Sequence, residues 1–115
     1  MATTEEVTVA TESTPTMRVS AADGGRAELL LGGEVGADAL RKLEEFLGSR
    51  PLKEADEWFV DMSRVVHFDL ACAYALLRSA TLRPEPASLT IRGARRTVQR
   101  TLRQAGLDTV AVFVE

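Results

Sequence analysis

Cysteine, histidine and tryptophan each occur once in this chain of 115 residues, and aromatic residues make up only 5% of it. A single cysteine, Cys72, cannot close an internal disulfide, so the sequence carries no mark of an oxidising compartment. A single histidine, His67, leaves no cluster of nitrogen and sulfur ligands for a metal. As a catalytic base it would need a nucleophile or an orienting acid, and Asp69 is its only obvious neighbour. No catalytic residue, no metal ligand and no cofactor is therefore assigned. Long apolar runs are also missing: none approaches the roughly 18 residues of a membrane helix. The first residues lack both a basic start and an apolar stretch, which excludes a signal peptide by pattern. The expectation is a cytoplasmic protein without membrane insertion.

What is present has the balance of an ordinary globular domain, with 45% hydrophobic and 27% charged residues. A chain of this length folds as one domain and buries enough surface to need neither metal nor disulfide. Net charge is −3 and unevenly spread. Between residues 78 and 103 stand seven arginines (78, 83, 92, 95, 96, 100 and 103) against one acid, Glu85. That asymmetry suits an acidic partner or an anionic ligand, although a solvated basic face is the commoner explanation. A pI near 5.2 gives no support to nucleic-acid binding.

Residues 1–16 are polar and threonine-rich and read as a disordered tail before a domain over 17–115. Met17–Ser20 and Ala27–Leu31 read as two strands of a hairpin turned by Asp23-Gly24-Gly25. Gly32-Gly33 is expected to break the second strand. A first helix follows over Ala37–Gly48, stopped by Gly48 and Pro51. Trp58-Phe59-Val60 reads as a buried strand ending near Asp61, with Ser63 in the loop after it. Asp69 is a good N-cap for a second helix reaching about Leu82, and Leu70 to Leu77 leave that helix almost no polar face. Leu89-Thr90-Ile91 gives another strand, Arg95–Ala105 a third helix closed by Gly106, and Val110–Val114 the last strand. The order β-β-α-β-α-β-α-β predicts an α/β domain: a single mixed sheet, parallel but for one hairpin, with packed helices.

Several strings in this order resemble one family. Leu31-Gly32-Gly33-Glu34-Val35 looks like its strand-end L-x-G-E-[VL]-D, and Val60-Asp61-Met62-Ser63-Arg64-Val65 like its V-D-L-S-x-V. Val66-His67-Phe68-Asp69 stands where the family has x-F-[LIM]-D. The stretch from Leu89-Thr90-Ile91-Arg92-Gly93 to Leu102-Arg103-Gln104-Ala105-Gly106-Leu107-Asp108 resembles its closing motif. Together they resemble the STAS family, sulfate-transporter and anti-sigma-factor-antagonist domains, in its stand-alone antagonist branch. The resemblance implies the same α/β fold and a transcription-regulating module that binds a kinase-fold anti-sigma factor.

One departure decides how such a module would work. Phosphorylatable members begin the second helix D-S-[ST]-G-L, with the second hydroxyl as acceptor. Here the string is Asp69-Leu70-Ala71-Cys72-Ala73, which puts Ala71 at the acceptor position. Alanine has no hydroxyl, so the phosphoswitch cannot run, and the surface that would carry it stays uncharged. A second departure is Gly36, where the family has Asp. The partner-binding set implied by the resemblance is Glu34, Gly36, Arg64, His67, Phe68, Asp69, Leu70, Ala71, Cys72, Tyr74 and Ala75. Two alternatives stand beside the antagonist: a permanent STAS subunit of a larger assembly, such as a stressosome-like or lipid-transport complex, and a small-ligand or nucleotide-binding STAS module. Oligomeric state stays open.

Overall fold

A computed structural model describes residues 15–115. Five strands form one sheet: β1 (Thr16–Ala22), β2 (Arg26–Val35), β3 (Glu57–Phe68), β4 (Ser88–Arg92) and β5 (Ala111–Val114). Four α-helices connect them: α1 (Leu40–Leu47), α2 (Arg50–Glu54), α3 (Leu70–Thr81) and α4 (Arg96–Ala105). β1 opens one residue before the strand read from the sequence, and residues 1–14 of the expected tail lie outside the described residues.

Strands are hydrogen-bonded in chain order, β1-β2-β3-β4-β5, with β1 antiparallel to β2 and every other pair parallel. Stepping in one direction with crossovers of one hand stacks the helices on one face of the sheet. The alternation of side chains agrees. Ala27, Leu29 and Leu31 of β2, Trp58, Val60 and Met62 of β3, and Leu89 and Ile91 of β4 are buried. Glu28, Glu57, Ser88 and Arg92, one residue out of phase, are exposed. The core lies between that buried face and Leu43, Leu47, Leu76, Val98 and Leu102 of the helices.

Four expectations are corrected. Gly32-Gly33 does not break β2, which continues to Val35. A Cβ on Gly32 would stand 3.2 Å from the Arg64 Cβ and 3.4 Å from the Thr16 Oγ1, so the glycine lets neighbouring strands close up. Gly48 is the C-cap of α1, as expected, but Pro51 is no part of that stop: it sits in the first turn of α2, where its missing N–H costs nothing. β3 does not stop at Asp61: it runs seven residues further, to Phe68, through two bulges. Leu30 pairs with Asp61 but Gly32 with Arg64, and Gly33 pairs with Val65 but Glu34 with His67. Each step inserts one extra residue in β3, so burial falls on Met62, Val65 and Phe68, a spacing of three in place of two. Ser63 is consequently not in a loop but in the first bulge, where its N–H and Oγ donate to Asp61 Oδ1 at 2.9 and 2.7 Å.

The short α2 is held from outside. Arg83 donates to the carbonyls of Leu52, Lys53 and Ala55 at 3.4, 3.2 and 3.0 Å, covering the open C-terminal end. Its guanidinium lies 5.9 Å from the ring centroid of Trp58, whose Nε1 donates to Leu52 O at 2.9 Å.

Candidate docking site

The start of α3 is fixed to the ends of two strands. Asp69 has extended backbone angles, and its carboxylate accepts from Ala71 N at 2.9 Å, the N-cap its sequence position predicts. Its own N–H donates to Val35 O at 2.9 Å, tying the helix to the end of β2. One turn on, Cys72 Sγ donates to Gly36 O at 3.5 Å and links α3 to the loop that leads into α1. Gly36 caps the 3-10 turn Ala37–Ala39 without a side-chain hydrogen bond. A Cβ there would meet only the movable tip of Asp38, so no steric demand explains the glycine.

These contacts sort the eleven predicted residues. Phe68, Cys72 and Ala75 are buried in the core and present no surface. Asp69, Ala71 and Gly36 are partly exposed and shape the backbone of the site. Glu34, Arg64 and His67 are exposed, with Glu34 and His67 paired in register at the ends of β2 and β3. Leu70 and Tyr74, four residues apart on one helix face, leave 36% and 39% of their surface in water. Val66, the extra residue of the second bulge, is 41% exposed at the same end of β3. The sequence reading did not single it out as a surface residue. Only the bulge frees it, and an unbroken alternation through Val65-Val66 would not have shown it.

Burial pushes the Cys72 thiol up to about 11, helped by the carboxylates of Asp69, Asp38 and Glu44. The thiol is therefore protonated at neutral pH, against any gain from the helix N-terminus. Burial alone would raise the Asp61 carboxyl too, but the hydrogen bonds from Ser63 and the charges of Arg92 and Arg64 outweigh it and hold it below its ordinary value. Among the described residues no three His, Cys, Asp or Glu side chains gather as metal ligands. A hollow of about 570 Å³ between Leu47, Trp58 and Leu82 lies at the far end of α3 and touches none of the eleven.

The first turn of α3 thus presents a partly apolar ridge, Leu70 and Tyr74, with the ends of β2 and β3 beside it. The family description "Mlab, STAS domain" matches residues 19–115, nearly the whole described chain. The chain belongs to the STAS domain family. STAS domains are regulatory and binding modules. Among solved structures, an anti-sigma factor antagonist from Mycobacterium paratuberculosis superposes with a TM-score of 0.72 at 18% identity, over 89% of this chain and 86% of that one. SLC26A9 matches with a TM-score of 0.57 at 13% identity, over 94% of this chain but only 23% of that much longer protein. At such identities the likeness is one of fold. No curated sequence matches the chain. Among the described residues, no helix of this STAS domain is long and apolar enough to cross a membrane.

Proposed function

We propose that this STAS domain is a protein-docking module of the anti-sigma-factor-antagonist type, not an enzyme. It acts in the cytoplasm and binds a kinase-fold anti-sigma factor through the start of α3 without a phosphoswitch. The observation that carries the reading is the exposed pair Leu70 and Tyr74 beside Ala71, which stands at the family's acceptor position. Where a phosphoserine would bring nearly two negative charges into the contact, Ala71 leaves it permanently uncharged. The contact then behaves like that of a constitutively dephosphorylated domain. Leu70 and Tyr74 supply the apolar anchors, Val66 extends them, and Glu34 and His67 form the polar rim.

Titration against kinase-fold anti-sigma factors tests the reading. Ala71→Asp and Leu70→Asp are expected to weaken binding about tenfold or more, because each brings a charge into an apolar contact. Unchanged affinity in both variants would remove α3 from the interface, and ATP-dependent labelling within residues 69–73 would restore a switch. The same uncharged ridge also suits a permanent subunit contact. Co-purification in a stoichiometric complex that does not dissociate on dilution favours that second reading.

A further inference from the structure

We infer that the outer face of α4 is an electrostatic docking surface for an acidic patch on a partner protein. The inference rests on the docking-module reading and adds the chemistry of a second contact. Arg96, Arg100 and Arg103 follow one another at spacings of four and three along the solvent side of α4, with Arg95 at its N-cap. The opposite side, Val98, Leu102 and Ala105, is buried. The stripe spans about 10 Å of helix. From Pro86 to Leu107 the chain has five arginines and no acidic residue.

The ion pairs among the described residues join Arg26 to Glu57 and Arg50 to Glu54, so none of the four α4 arginines reaches a carboxylate. Two of the polar residues between them are turned to the backbone. Gln99 Nε2 donates to Ala94 O at 2.9 Å and Thr101 Oγ1 to Thr97 O at 3.4 Å, leaving the guanidinium groups as the charged donors of the stripe. Arg103 lies 5.7 Å from the ring centroid of Phe113, an arrangement that steadies it at the β5 edge. A face needed only for solubility mixes both signs. The charge on this one is of a single sign and all from arginine, whose planar fork grips carboxylates two bonds at a time.

A carboxylate-bearing protein fits better than the other polyanions. The apolar residues of α4 are spent in the core, so nothing on its outer face could enter a bilayer. No aromatic residue stands on the outer face to stack on a base. The chain carries −3 overall, so its surface beyond this stripe is more acidic still and repels any long polyanion that overruns it. A compact acidic patch meets only the arginines.

The test is a two-dimensional NMR titration of the isotope-labelled full chain with a glutamate-rich peptide at low salt, and again at about 300 mM salt. A short DNA duplex and phosphatidylglycerol vesicles serve as competing polyanions. The expected result is amide shifts centred on Arg95–Arg103 that weaken about tenfold at the higher salt. They vanish in Arg96→Glu/Arg100→Glu, with the fold checked by circular dichroism, and persist in Leu70→Asp. Absence of shifts, shifts centred on α3, or tighter binding to DNA or vesicles than to the peptide would each overturn the inference. If Leu70→Asp and Ala71→Asp leave anti-sigma-factor binding unchanged, the docking reading fails at α3, while the peptide result on α4 stands or falls independently.

Discussion

α3 and α4 lie side by side on the same sheet, yet they are built in opposite ways. α3 is apolar around most of its circumference, because α1 flanks it on one side, α4 on the other and the sheet lies beneath. What remains exposed is a narrow ridge with Leu70 and Tyr74. α4 stands at the end of the helix layer, buries one stripe and turns the rest to water as arginine, glutamine and threonine. The starts differ as well: Asp69 caps α3 through its side chain, whereas Arg95 caps α4 with backbone alone. Position in the layer, more than helix propensity, sets how much of each helix can be polar. The two surfaces left over differ accordingly, one mostly apolar and the other cationic.

That contrast can be broken at several points. Leu76→Ala, in the fully buried middle of α3, is expected to cost about 3 kcal/mol in urea unfolding, while Thr97→Ala on α4 stays near zero. A similar cost for both would deny that the central helix is the more deeply packed. Gly93, at the joint leading into α4, has φ 73° and would place a Cβ 2.7 Å from the Cβ of Ser63. Gly93→Ala should therefore lose about 2 kcal/mol through left-handed strain and collision with the β3 bulge, read as a lowered melting temperature. Asp69→Ala is expected to cost about 1 kcal/mol and Arg95→Ala almost nothing, since only the first removes a cap hydrogen bond. Equal losses would show that both helix starts are held by backbone alone.

The smallest effect is a pH slope. The Cys72 thiol ionises near 9 in an ordinary setting and near 11 in the fold. Its contribution is complete below pH 9 and is lost as pH rises towards 11, because the unfolded chain then gives up a proton that the native one keeps. Unfolding at pH 8 and pH 10 should differ more in the parent chain than in Cys72→Ala; identical differences would mean that the thiol is not shielded.

Much of this fold was legible in the residues. The hairpin, the alternation of strands and helices, the cap at Asp69 and the stop at Gly106 each follow from local chemistry acting within a few residues. The second half of β3 was not legible, because Met62, Val65 and Phe68 are buried at a spacing of three, which matches neither plain strand nor long helix. α2 was missed for a related reason: five residues are too few to show a period, and its C-terminal end is held by Arg83, distant in sequence. At the site, the apolar character of α3 was plain, but not which of its residues face water. Cys72 and Ala75 look as available as Leu70 in the sequence and are buried in the fold.

By itself the sequence determined the succession of strands and helices, the missing hydroxyl at residue 71 and the arginine run of α4, all properties of short stretches of chain. Which apolar side chains are left over as surface was decided only by tertiary structure. A helix start becomes a ridge through the neighbours that cover its other sides, and a valine at residue 66 reaches water because one bulge turns β3 out of its alternation.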